Sequence, residues 1–188
     1  MDSPRVDEVA CYREAFEHSS DGHFVIDVTA EGRFRYVVVN AAEERMTGLE
    51  RALLEGKTPE EVLDEATAAA VGARYRRCAE SGRTQSYEES LDLPAGRRSF
   101  RTTLVPIADP DGRVRRIVGI SRDVTEERRV ESELRQGRER LDLALRNGEL
   151  GLWDWNVPTG EVHFAERWMD MLGYSAEEIE PSIRSWER

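Results

Sequence analysis

The chain has 188 residues, a formal net charge of −11 and 35% charged residues, against roughly 25% in ordinary soluble domains. That charge argues against nucleic-acid binding, which needs clustered Lys and Arg on the phosphates. No apolar run approaches the roughly 18 residues of a membrane span, and the acidic start, Met1-Asp-Ser-Pro-Arg-Val-Asp-Glu8, lacks a signal peptide's apolar core, so a cytoplasmic segment without membrane contact is expected.

Val9, Tyr12 and Phe16 form a helical stripe over Val9–His18, ended by Ser19-Ser-Asp-Gly22. His23–Val28 and Phe34–Val39 read as strands joined by a turn at Ala30–Arg33, hence a hairpin. Asn40 suits the cap of a helix over Ala41–Thr47, because its side-chain oxygen accepts from free backbone N–H groups, and Gly48 suits its end. Arg51–Gly82 is helical in character. Thr58, Pro59 and Glu61 make a helix start with a capping box, and a longer helix is predicted over Thr67–Glu80 with Val71, Tyr75 and Cys78 on one face.

Three further strands are predicted: Thr84–Leu93, Ser99–Ile107 and Val114–Arg122, with turns at Pro94–Arg97 and Asp109–Gly112. In the first of them Tyr87, Glu89, Leu91 and Leu93 alternate against Ser86, Glu88, Ser90 and Asp92. Every direct strand link is a hairpin, which implies an α+β domain: a five-stranded antiparallel sheet with helices on one face. After Asp123 a helix runs to about Arg146. Val130, Leu134, Gly137, Leu141 and Ala144 repeat on it as a short heptad seam.

An internal repeat comes next. Phe16–Gly22 aligns with Leu145–Gly151, Phe24–Val28 with Trp153–Val157, and Met46-Thr-Gly-Leu49 with Met171-Leu-Gly-Tyr174. The second copy stops before any counterpart of the last three strands. The expected organisation is an N-terminal cap helix in 1–20, one complete domain in 21–124, a linker helix in 125–146 and the opening of a second domain in 147–188. Half a sheet cannot bury its face alone.

Lys57 is the only lysine. A high-GC genome explains that; a halophile explains it together with the acidic excess. Cys11 and Cys78 form no CxxC, and His18, His23 and His163 stand at no metal-ligand spacing with each other or with a cysteine. No metal site is expected.

The chain resembles the PAS family. The resemblance is carried by Asp21-Gly22, by Val39-Asn-Ala-Ala-Glu-Glu-Arg-Met-Thr-Gly48, by Pro106-Ile107 through Gly119-Ile120, and by Asp123-Val-Thr-Glu-Glu-Arg128, which is similar to the segment that closes PAS domains. The second copy resembles a PAS N-terminal half. The resemblance implies a sensory module that holds a small molecule between sheet and helices, or one that only dimerises or docks. Such modules feed histidine kinases, diguanylate cyclases or transcription regulators. The implied partners are a second copy, joined through the N-terminal and linker helices, and an output domain of the same protein. The subgroup with flavin photochemistry carries a reactive cysteine after Gly-Arg-Asn; here Gly56-Lys57-Thr58 leads to Pro59, which argues against that chemistry. Haem needs an axial ligand, and the long helix offers only Tyr75. The cofactor is therefore left unknown.

Candidate pocket residues are Phe24, Ile26, Tyr36 and Val38 from the first hairpin, Met46, Leu53, Val71 and Tyr75 from the helices, and Leu91, Arg101 and Thr103 from the late strands. A packed core would show the same apolar positions. Arg101 would need a partner if it pointed inward, and an anionic ligand is one such partner; Phe100 and Leu104 compete with it for the inner face. The acidic pairs Glu43-Glu44 and Glu60-Glu61 read as solvated helix faces. No Ser/His/Asp or Cys/His set and no phosphate loop is found, so no catalytic role is expected. Asp123, with Glu126 as capping-box partner, or Thr125 as the alternative cap, is expected to weld the last strand to the outgoing helix and to relay signal.

Overall fold

The structure, a computed structural model, describes residues 8–147, 150–175, 178–179 and 182. The chain divides into two compact units, Met1–Arg128 and Arg129–Arg188.

In the first unit, α1 (Glu8–His18) precedes the hairpin β1 (Gly22–Val28) and β2 (Phe34–Val39). Four helices come next: α2 (Ala41–Thr47), α3 (Arg51–Leu54), α4 (Pro59–Val62) and α5 (Glu65–Ser81). Then come β3 (Gln85–Leu93), β4 (Gly96–Ala108) and β5 (Val114–Asp123), and α6 (Thr125–Asn147) leaves the sheet. The five strands form one antiparallel sheet in the order β2-β1-β5-β4-β3. The fold is the expected α+β one, with four helices where the sequence suggested three between the second and third strands.

Local chemistry explains the boundaries. Asn40 Oδ1 accepts from the Glu43 N–H and from the His23 N–H, both at 2.9 Å, while its Nδ2 donates to the carbonyls of Phe16 and Asp21. One fully buried amide thus ties the end of α1, the start of β1 and the start of α2, with every polar atom satisfied. The Glu61 carboxylate accepts from the Thr58 N–H at 2.8 Å, closing α4 as expected. Helix α5 starts two residues before the predicted Thr67, because the Asp64 side chain takes up the N–H groups of Ala66 and Thr67.

The core lies between the inner face of the sheet and the helices. Ile26, Val39, Leu104, Ile117 and Cys78 are fully enclosed there. Phe24 on β1 faces Gly119 on β5, its register partner. A Cβ at Gly119 would stand 2.0 Å from the Phe24 ring, so only glycine lets that ring lie across the centre of the sheet.

Along α6, Val130, Leu134 and Leu141 are each half exposed or more. In the second unit β6 (Trp153–Asn156) pairs with β7 (Glu161–Phe164), ahead of α7 (Glu166–Leu172). Both α2 and α7 end on a left-handed glycine, Gly48 and Gly173, at the two positions the repeat aligns. Most of the tract beyond Ser175, part of the expected second domain, lies outside the described residues.

Candidate functional site

A cavity of about 50 Å³ lies between the inner face of the sheet and the helices. Each layer supplies part of its wall. Phe24 and Tyr36 come from β1 and β2, Glu43 and Thr47 from α2, and Val71 and Tyr75 from α5. Tyr87, Glu89, Leu91 and Leu93 come from β3, and Phe100, Thr102 and Ser121 from β4 and β5.

Five of the eleven predicted pocket residues line this cavity: Phe24, Tyr36, Val71, Tyr75 and Leu91. The others stand elsewhere, each for a local reason. Ile26 is fully buried in the core, one pleat beyond the cavity. The β1–β2 register shifts between Val25 and Ile26, which leaves Val37 as an extra residue on β2; Val39, not Val38, then faces inward opposite Phe24. Helix α3 is only four residues long, and it buries Leu54 and exposes Leu53. Met46 packs its Cε against the spot where a Cβ on Gly22 would sit. On β4 the inward set is Phe100, Thr102 and Leu104, which sends Arg101 and Thr103 to the outer face. There Arg101 pairs with Glu88 at 2.9 Å and Thr103 bonds Ser86. Arg101 needs no anionic ligand.

Eleven lining residues are absent from the sequence-based set, and two of them are acids. Glu89 belongs to the alternating inward set of β3, a signal visible in the sequence. Burial raises its carboxyl, against the pull of Arg74 and the Thr102 hydroxyl. The Arg74 guanidinium lies 3.5 Å from Glu89 Oε2 and 3.9 Å above the centre of the Tyr87 ring. Glu43 is no solvated helix residue, contrary to expectation. The residue as a whole is half buried, but its Oε2 is cut off from solvent and has no hydrogen-bond partner. Burial, then repulsion from Glu89, pushes its carboxyl up to about 7. A glutamate three residues after a cap can reach back to the cap N–H; here the Asn40 N–H already donates to the His23 carbonyl, which leaves the Glu43 carboxylate to the cavity. Its neighbour Glu44 accepts from the Arg51 N–H at 2.7 Å.

The remaining polar lining is mutually engaged. The Tyr36 and Tyr75 hydroxyls lie 3.4 Å apart, and those of Thr102 and Ser121 3.3 Å apart. Burial holds both tyrosines well above their ordinary range. Among the described residues the wall carries two carboxylates and no basic side chain. A flavin phosphate or haem propionates would meet like charge there, and organic ligand sites are typically about 300–1,000 Å³. The lining fits neither group. Among the described residues no cluster of three His, Cys, Asp or Glu could hold a metal, and no helix is long and apolar enough to cross a membrane.

The β5–α6 joint lies two residues beyond Ser121. Asp123 Oδ1 accepts the Thr125 N–H at 2.9 Å, and Oδ2 accepts Arg98 Nη1 at 2.6 Å. Although burial works against it, the bonds from Thr125 and Arg98 hold the Asp123 carboxyl below its ordinary value. Thr125 Oγ1 accepts the Ser99 N–H at 2.9 Å, and the Val124 N–H donates to the Ser99 carbonyl at 2.8 Å. Because α6 begins at Thr125, its cap position falls on Val124, which has no side-chain acceptor, and Glu126 stands at the second helical position. Asp123 and Thr125 clamp the helix start to β4 instead. Arg128, one turn into α6, pairs with Glu88 on β3.

Comparison with known proteins agrees with this architecture. A hybrid signal transduction histidine kinase A of Dictyostelium discoideum is 36% identical over 53 residues, 28% of this chain and 2% of that protein. Three solved structures share the fold. An RNA-binding Light-Oxygen-Voltage receptor has a TM-score of 0.58 at 23% identity, over 76% of this chain and 40% of its own. The PAS domain of a Colwellia psychrerythraea protein has a TM-score of 0.52 at 18% identity, over 64% and 99%. The PAS domain of Bordetella pertussis BvgS has a TM-score of 0.52 at 22% identity, over 71% and 98%. The PAS-fold family model matches residues 16–129, more than half of the sequence, and the chain belongs to the PAS family.

Proposed function

We propose that this chain is the sensory and relay part of a multidomain signalling protein of histidine kinase or diguanylate cyclase type. It holds a small molecule between sheet and helices and passes the change through α6 to an output domain that carries the catalysis. The observation that supports this reading is the continuity of cavity and joint. Thr102 and Ser121 line the cavity, and three residues back along β4 and two on along β5 stand Ser99 and Asp123, members of the clamp on α6. The clamp comprises an ion pair and three hydrogen bonds of modest net strength, about 0.5–1.5 kcal/mol each for neutral partners. That matches the roughly 1–3 kcal/mol typical of coupling between sites.

The domain limits proposed are 21–124 for the sensor, 125–146 for the relay helix and 147–188 for the start of a second PAS domain. The exposed stripe of Val130, Leu134 and Leu141, with Val9 and Tyr12 on α1, supports pairing of two copies through these helices. A domain that only dimerises, with no ligand, is the competing reading, and this same stripe favours it.

Native mass spectrometry before and after unfolding separates the two. A stoichiometric small molecule released on unfolding supports sensing; a bare dimer supports docking. In the full-length parent, Asp123→Ala with Thr125→Ala is expected to abolish the response of a signalling reporter while the domain keeps its fold. Unchanged signalling overturns the relay.

A further inference from the structure

The lining of the cavity specifies the charge of what it receives. Glu43 is part of its wall, and one carboxylate oxygen, Oε2, is shut off from water, has no hydrogen-bond partner and stands over Gly22 on the inner face of β1. A buried carboxylate in that position needs a cation or a proton. Around it stand the rings of Phe24, Tyr36, Tyr75, Tyr87 and Phe100, whose negative faces attract cations. The hydroxyls of Thr102 and Ser121 line the same space as further acceptors for N–H donors. Beside the cavity a second buried carboxylate oxygen, Glu89 Oε2, also lacks a hydrogen bond but has the Arg74 guanidinium 3.5 Å away, lying over the Tyr87 ring. Glu43 shares a cavity wall with the same rings, and among the described residues no guanidinium pairs with it.

We propose that the cavity is a receptor site for a small organic cation, an alkylammonium or guanidinium group, whose charge is taken up by Glu43 and whose sides face the tyrosine rings. This rests on the sensor reading given above and names the ligand class for it. Size agrees. A buried water needs about 10–15 Å³ of such space, and a 150 Å³ cavity holds a benzene, so about 50 Å³ seats a group of about three or four non-hydrogen atoms. Anions are excluded by the two carboxylates.

Guanidinium, urea and acetate are planar, have four non-hydrogen atoms each, and differ in charge. Each is titrated to 20 mM into the full chain at constant ionic strength, with backbone amide NMR shifts of the cavity strands as the readout. Guanidinium is expected to give saturable shifts at residues flanking Glu43, Glu89 and Thr102, with urea and acetate at least tenfold weaker. Glu43→Gln keeps the size of the side chain and removes an unpaired buried charge, so it folds; it is expected to weaken guanidinium at least tenfold. Equal response to urea and guanidinium, or guanidinium binding untouched by Glu43→Gln, overturns the proposal. If the purified protein releases a neutral or anionic compound on unfolding, the sensor reading stands and the cation assignment falls. If no compound of any charge is released and none of the three probes binds, both fall.

Discussion

Glu43 carries an energetic cost that pH reveals. Its folded carboxyl titrates near 7 against an ordinary 4.5. Below 4.5 it is protonated in both folded and unfolded chains. Between 4.5 and about 7 the unfolded chain ionises while the folded one keeps its proton, so stability falls as pH rises through that window, by about 3 kcal/mol in all. The charged groups around it do not cancel this. Glu89 on β3 is shifted in the same direction, and Tyr36, Tyr75 and Tyr87 ionise far above it. The partnered acids Glu17, Asp21, Asp109 and Asp123 are all lowered, so their effects lie at still more acid pH. Glu43→Gln is therefore expected to raise the melting temperature at pH 8 and to flatten its fall between pH 5 and 8. Denaturation curves of both proteins across that range test it, and parallel slopes would refute it. At this scale the sequence could be read only in part. Glu89 was visible because it shares the period of Tyr87, Leu91 and Leu93. Glu43 was not, because its direction depends on who satisfies the Asn40 N–H, and the His23 carbonyl that does so comes from another element. Arg101 and Val38 misled for a related reason. Strand parity is set by pairing across the sheet and by one register shift, which alternation within a strand does not encode.

Among the elements, β5 is the one on which everything converges. It pairs with both β1 and β4, carries the glycine that seats Phe24, places Ser121 in the cavity wall and ends in the clamp on α6. That a strand passes there into a charged helix is legible in "VGISRDVTEERRV"; the chemistry of the joint is less so. Asp123 and Thr125 were the right residue types, but their partners sit on β4, 25 and 26 positions away. Thr125→Val keeps the shape of the side chain and deletes the acceptor of the Ser99 N–H. The expected cost is about 1 kcal/mol, together with faster hydrogen exchange at Ser99 and at Val124, whose N–H closes the same ring of bonds. Unaltered exchange at both amides would show that the clamp does not hold the helix. A second element-level test is Gly119→Ala. Its Cβ cannot coexist with the Phe24 ring as placed, so a loss of about 1–3 kcal/mol is expected, read from the denaturant midpoint.

In the whole molecule, the order of elements was legible because each hairpin announces itself by a turn and a period-2 run. The strand order was not. It depends on β1 meeting β5, residues about a hundred positions apart with no local signal between them. The same topology explains why one unit can stand alone. All eleven residues of the continuous buried core lie between Phe24 and Ile117, inside the first unit. Beyond α6 the second unit holds a two-stranded hairpin and one short helix, with Val162 and Phe164 as its buried apolar residues among those described. An isolated two-stranded hairpin is marginal in water. A fragment ending at Asn147 keeps the sheet, the cavity, the clamp and all of α6. It is expected to melt within about 2 °C of the full chain, since a 1 kcal/mol change moves a domain of this size by roughly 4–8 °C. Calorimetry of the two proteins at equal concentration, with sedimentation to hold the oligomeric state in view, decides the matter. A drop of 5 °C or more without a change in mass would mean that residues beyond Asn147 contribute to the stability of the PAS domain.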